Sequence, residues 1–166
     1  MKKVITYGTF DVLHRGHKLL LKRAKEIGDY LVVAVTGEEY DKNRGKLNVS
    51  QSLHQRIKNV EKIGLADEII VEEFDGQKII DIQKHKIDVF AIGSDWMGKF
   101  DYLKEYCEVV YLPRTKGISS TKLRNTIGFT KIGIIGCGRI ASRFCKESKY
   151  VSNVEVVSVW GRNYKK

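Results

Sequence analysis

Proline is nearly absent: Pro113 is the only one in 166 residues, so nothing of that kind interrupts helix or strand over most of the chain. Cysteine is scarce too. Cys107, Cys137 and Cys145 are odd in number and lack C-x-x-C spacing, which argues against a disulfide framework or a structural zinc site and for buried, reduced thiols. Long apolar runs are missing; Leu31–Val35 and Ile132–Ile135 are far too short to cross a bilayer. The opening Met1-Lys2-Lys3-Val4 runs into a strand pattern without the apolar region or cleavage site of a signal peptide, so a cytoplasmic protein that avoids membranes is expected.

What is present is a soluble globular composition, 42% apolar and 30% charged. The net charge of +10 suggests a nucleic-acid partner, but its distribution argues otherwise. Residues 128–166 hold eight Lys/Arg against two Asp/Glu, whereas residues 1–127 hold twenty-two against eighteen. The main body has no basic block interleaved with aromatics, and no nucleic-acid partner is expected.

Strand-like runs at Val4–Tyr7, Tyr30–Thr36, Glu68–Glu72, Val89–Ile92 and Val109–Leu112 alternate with helical patterns. The helical patterns are His17–Ile27, Leu53–Ile63, Gln77–His85 and a shorter Phe100–Tyr106. Such alternation predicts an α/β fold with a parallel sheet covered on both faces. Gly37–Ser52 reads as a long mobile loop, and His54 and His85 as surface residues of their helices.

The first strand feeds Gly8-Thr9-Phe10-Asp11 and then His14-Arg15-Gly16-His17. Two imidazoles three residues apart share one helix face, at an end that offers unpaired N–H groups and a positive dipole. There they can grip a triphosphate, with Gly16 admitting a phosphate to the backbone. Gly93-Ser94-Asp95-Trp96, after the fourth strand, is expected at the same crevice, because ligands bind outside the carboxyl ends of strands where strand order reverses. On the residues alone, Asp95 and Trp96 fit a turn acid and a core aromatic equally well, and Lys46 fits a solvated loop lysine as well as a phosphate ligand.

Pro113 precedes Arg114-Thr115-Lys116-Gly117-Ile118-Ser119-Ser120-Thr121. Hydroxyls that cap a helix, beside an arginine able to hold phosphate bidentately, make a second anion site. After Phe129 the pattern restarts with the strand Lys131–Ile135, then Gly136-Cys137-Gly138-Arg139-Ile140-Ala141, a helix to about Lys149 and the strand Val154–Trp160. G-x-G-x-x-A between strand and helix is the dinucleotide fingerprint, and Arg162, about twenty residues on, favours NADP over NAD. One βαβ unit cannot bury both faces of its strands. Residues 1–127 and 128–166 are therefore expected to be a nucleotide-binding domain and an incomplete dinucleotide-binding unit. A dinucleotide-dependent oxidoreductase is the competing reading that this second unit supports.

Taken together, GTFD-x-x-H-x-G-H and R-T-x-G-I-S-S-T resemble the cytidylyltransferases across residues 1–127. That resemblance implies a Rossmann-like nucleotidyltransferase fold, CTP as nucleotide, a magnesium ion and a homodimer. It implies transfer of CMP to a polyol phosphate, glycerol 3-phosphate by default, giving a CDP-polyol and pyrophosphate for teichoic acid or another surface polymer. It carries phosphate chemistry onto His14, His17, Lys46 and Arg114, and nucleotide binding onto Gly8, Thr9, Phe10, Asp11, Gly16, Arg56, Asp95, Ser119, Ser120 and Thr121. The chain departs from the family at Gly64, where an arginine is usual, and at Lys116, where a glutamate is usual; the acceptor stays open among glycerol, erythritol and ribitol phosphates. ATP-dependent adenylyl transfer uses the same H-x-G-H device and is the alternative within the superfamily. The tail resembles the start of the glucose-fructose oxidoreductase/inositol dehydrogenase group, which would place Gly136, Gly138, Ala141 and Arg162 around NADP in a bifunctional enzyme.

Overall fold

The computed structural model describes residues 1–43, 49–115, 130–136, 138–148 and 154–161. Lys46, Lys116, Ser119, Ser120, Thr121, Cys137 and Arg162 lie outside the described residues.

Five strands, β1 (Lys3–Gly8), β2 (Tyr30–Thr36), β3 (Glu68–Glu72), β4 (Val89–Gly93) and β5 (Glu108–Leu112), form one sheet in the order β3-β2-β1-β4-β5. All pairings are parallel. The order reverses between β1 and β4, which sets the crevice where the sequence placed it. That junction is also short, with rungs only at Val4–Val89 and Ile5–Phe90, whereas β1 and β2 pair along six residues.

The strands are apolar on both sides because both sides are covered. Val4, Leu31, Val33, Val35, Val89 and Ala91 pack against Leu21 and Ala24 of α1 (Arg15–Lys25) and Val60 of α3 (Leu53–Glu61). Their neighbours Ile5, Val32, Ala34, Phe90 and Ile92 face the other way, toward Ile82 of α4 (Gln77–His85) and Leu103 of the 3₁₀ turn Asp101–Glu105. This alternation is the two-residue period of a strand. Gly28, in the tight α1–β2 turn, lies so close to the chain start that an added Cβ would stand 2.5 Å from the Lys2 carbonyl oxygen.

Several expectations need correction. The helix predicted from His17 starts at Arg15, because His14 caps it, and it ends at Lys25. Gly37–Ser52 is not all loop: α2 (Glu38–Asn43) forms within it, with Glu38, Glu39 and Asp41 in its first turn, where carboxylates favour a helix. Phe100–Tyr106 contains only the 3₁₀ turn. His85 is not a surface residue but a half-buried one, its Nδ1 3.3 Å from a Glu68 carboxylate oxygen. Cys107 and Cys145 are free thiols, half-buried rather than buried, and burial raises the Cys107 thiol above its usual range.

In the C-terminal segment, β6 (Thr130–Ile135), α5 (Arg139–Glu147) and β7 (Val154–Trp160) make a parallel βαβ unit. Its large apolar side chains stand in solvent: Ile135 and Ile140 are 85% and 86% exposed, and Trp160 is 62% exposed. Among the described residues, no helix is long and apolar enough to cross a membrane.

Candidate active site

The carboxyl ends of β1 and β4 open into a cleft of about 290 Å³. It is lined by Gly8, Thr9, Phe10, His14, Gly16 and His17 from the end of β1 and the start of α1, and by Gly93, Asp95, Trp96, Arg114 and Thr115 from the segments after β4 and β5. The two sequence segments expected at one crevice do meet there.

His14 serves two purposes at once. Its Nδ1 accepts the backbone N–H groups of Gly16 at 3.0 Å and His17 at 3.3 Å, which makes it the N-cap of α1. An Nδ1 that accepts carries no proton, so the neutral ring holds its proton on Nε2 and can donate from there. Burial lowers the His14 pKa, which favours this neutral form. The His17 ring stacks on it, with centroids 3.8 Å apart and planes 15° from parallel, and meets the Phe10 ring edge-on at 5.4 Å. The first turn of α1 has no acidic residue, so beyond the His14 cap no carboxylate of that turn offsets its positive dipole end. Phe10 and Val12 hold φ values of 51° and 46°, a left-handed backbone that costs each about 1–3 kcal/mol and that surrounding contacts must enforce.

Those contacts come from Asp11 and Arg56, neither of which lines the cleft. The Asp11 carboxylate accepts from the Ser50 N–H and hydroxyl and from the Gln51 N–H, tying the turn to the entrance of α3. Arg56 is fully buried. One guanidinium nitrogen donates to the Thr9 carbonyl at 2.8 Å and the Thr36 carbonyl at 2.7 Å, while Nε reaches the Gln51 carbonyl at 3.2 Å. Asp41 stands 4.0 Å away as counter-ion, and its other oxygen accepts from the Thr9 hydroxyl at 3.2 Å. Burial lowers the Arg56 pKa, but a guanidinium keeps its charge even so. The structure thus places Arg56 beneath the turn after β1 rather than against the cleft, as its clamp.

Across the cleft, Arg114 Nη1 lies 3.1 Å from Asp95 Oδ1, both side chains more than half exposed. An ion pair in that setting is weak and leaves the guanidinium available to a phosphate. Arg23 was missed by the sequence reading. Its Nη1 donates to the Pro113 carbonyl at 2.6 Å, fastening α1 to the exit of β5, and it lines the same cleft. The signal was there, since Gly16, Leu20 and Arg23 follow i, i+4, i+7 along one helix face.

Also missed were Tyr7, Thr36, Glu72 and Lys78, which line the same cleft and are themselves buried. Glu72 and Lys78 form a buried ion pair, and Glu72 accepts from the Thr36 hydroxyl at 3.1 Å. The Tyr7 hydroxyl donates to Asp81 at 2.8 Å, and burial with that carboxylate pushes its pKa far above the usual range.

In the C-terminal unit, Gly136 has a φ of 117° and Gly138 is the N-cap of α5; an added Cβ at either would meet none of the described residues within 4 Å. Ala141 lies in the first turn of that helix.

A doubly covered parallel sheet, with paired histidines at a helix mouth beside its switch point, defines a Rossmann-like nucleotidyltransferase. Residues 5–126 match the Cytidylyltransferase-like family, and the chain belongs to that family. It is 55% identical over 124 residues to the glycerol-3-phosphate cytidylyltransferase of Bacillus spizizenii, covering 75% of this chain and 95% of the relative. The glycerol-3-phosphate cytidylyltransferase of Staphylococcus aureus is 48% identical over 127 residues, covering 76% of this chain and 96% of the relative. A crystal structure of the lipopolysaccharide core biosynthesis protein from Thermoplasma volcanium superposes with a TM-score of 0.59 at 25% identity, covering 70% of this chain and 99% of that one.

Proposed function

We propose that this chain transfers CMP from CTP to glycerol 3-phosphate, releasing CDP-glycerol and pyrophosphate for a teichoic-acid-type polymer. The observation that carries the reading is the stacked His14–His17 pair at the mouth of α1, lining one cleft together with Arg114, in a member of this family. The acceptor phosphate is already an anionic nucleophile and needs no general base. An oxygen of that phosphate forms a bond to the α-phosphorus of CTP as the bond to the bridging β-phosphate oxygen breaks, and pyrophosphate carries away the electron pair. The task is to bring two anions together and to stabilise charge on the α-phosphate oxygens, which is done by position and electrostatics.

In this reading His14 and His17 donate to the α-phosphate. Arg114 and Arg23, with Lys46 and the Ser119, Ser120 and Thr121 hydroxyls, hold the departing phosphates. Gly8, Thr9, Phe10 and Gly16 shape the nucleotide wall; Asp11 and Arg56 hold that wall in place, and Asp95 steers Arg114. Among the described residues no cluster of three or more His, Cys, Asp or Glu could hold a metal ion. A magnesium ion bound together with CTP would supply charge neutralisation at the triphosphate, while positioning falls to the side chains named above. A homodimer in the cytoplasm completes the reading, on the strength of the family likeness.

For residues 128–166 the open surroundings of Gly136 and of Gly138, the N-cap of α5, support the opening unit of a dinucleotide-binding domain, with NADP as its ligand.

Incubating the protein with CTP or ATP and a panel of polyol phosphates, with products read by mass spectrometry and pyrophosphate release, tests the main reading. CDP-glycerol from CTP, with ATP inert, is expected. The absence of any CDP-alcohol would overturn it.

A further inference from the structure

Lys78, in the first turn of α4, and Glu72, at the end of β3, reach the cleft from the face of the sheet opposite α1. Their side chains are 8% and 1% exposed and form an ion pair. The Lys78 ammonium also sits 4.6 Å above the Tyr7 ring centroid and 5.4 Å from that of Phe100. The Phe100 ring in turn packs against Trp96, with centroids 5.7 Å apart. A carboxylate opposed to aromatic faces is what proteins use to hold an alkylammonium ligand. Here the alkylammonium is the chain's own.

The anion donors His14, His17, Arg23 and Arg114 lie at the cap of α1, along it and after β5, so the charge-paired Glu72–Lys78 part of the cleft is left for the acceptor alcohol. We propose that Lys78 fills a cation box made by Glu72, Tyr7 and Phe100, and that this self-occupation selects neutral polyol phosphates and rejects acceptors carrying an amine cation. The inference rests on the cytidylyltransferase reading given above. A cationic head group entering the occupied box meets the Lys78 charge with Glu72 already neutralised. A polyol hydroxyl can instead accept from the ammonium and donate to the carboxylate.

The test compares wild type, Lys78→Ala and the double variant Glu72→Gln/Lys78→Ala, using CTP with glycerol 3-phosphate, phosphoethanolamine or phosphocholine. In Lys78→Ala the ratio of kcat/KM for phosphocholine over glycerol 3-phosphate should rise about tenfold or more. Choline chloride alone should raise its melting temperature relative to sodium chloride, and should leave wild type unmoved. Both effects should vanish in the double variant, which lacks the carboxylate. If Lys78→Ala does not fold in buffer, its refolding in choline chloride but not in sodium chloride carries the same result. A folded Lys78→Ala with unchanged selectivity and no response to choline, or no refolding in either salt, overturns the inference. Wild-type CDP-glycerol formation in that case leaves the functional reading standing, whereas a wild type that makes no CDP-alcohol removes both.

Discussion

The imidazoles of His14 and His17 lie face to face, 3.8 Å between centroids. Two positive rings at that distance repel, so the stacked pair favours at least one neutral ring. His14 is the one that burial keeps neutral, and its Nδ1 must stay unprotonated to cap α1.

Stability should therefore fall in mild acid. The unfolded imidazole takes up its proton near its ordinary 6.5, the folded one only below that. Between the two values the unfolded chain binds more protons, so stability is complete above the ordinary value and drains away as pH falls toward the folded one. Melting temperatures from about pH 7.5 to about pH 5 should show the decline. His14→Asn, which caps without titrating, should flatten it.

His17→Ala should leave the fold and CTP affinity nearly intact while turnover drops about 10²–10³-fold, the usual cost of one charge-stabilising donor. Steady-state kinetics beside calorimetric CTP binding would show the split; near-normal turnover would remove His17 from the phosphate site.

Arg114→Ala separates function from stability in another way. Among the described residues it pairs with Asp95 in a solvated ion pair, so unfolding free energy should change by less than about 0.5 kcal/mol. The value of kcat/KM for CTP should fall about 10²-fold, because a planar phosphate fork is lost. Urea unfolding and initial rates on one preparation decide it.

Arg56→Ala should do the reverse, destabilising the protein by about 3–5 kcal/mol, since it strands the Thr9 and Thr36 carbonyls and the buried Asp41 charge. Urea denaturation would measure it. A loss under about 1 kcal/mol would mean that the clamp is dispensable.

The strands were legible because a parallel sheet covered on both faces writes itself as short apolar runs, and Tyr30–Thr36 and Glu68–Glu72 match to the residue. The wall from Gly8 to His17 was legible because it is local, a strand feeding a turn and a helix. Arg56 was not, since nothing in a linear pattern distinguishes a buried guanidinium under a loop from one facing a ligand. Glu72 and Lys78 were invisible for the same reason: two charged residues six apart read as surface until the fold buries both. His85 looked exposed because its partner Glu68 comes from a strand seventeen residues earlier.

The short junction between β1 and β4 has a consequence for ligand binding. Beyond Ile5 and Phe90 the two strands no longer share rungs, and the Thr6 hydroxyl is buried there without a hydrogen-bond partner among the described residues. A molecule lodged across that gap would act as a splint between the two halves of the sheet. Amide exchange at the tips of both strands should then slow on CTP addition, linking occupancy of the cleft to the rigidity of the whole five-stranded layer.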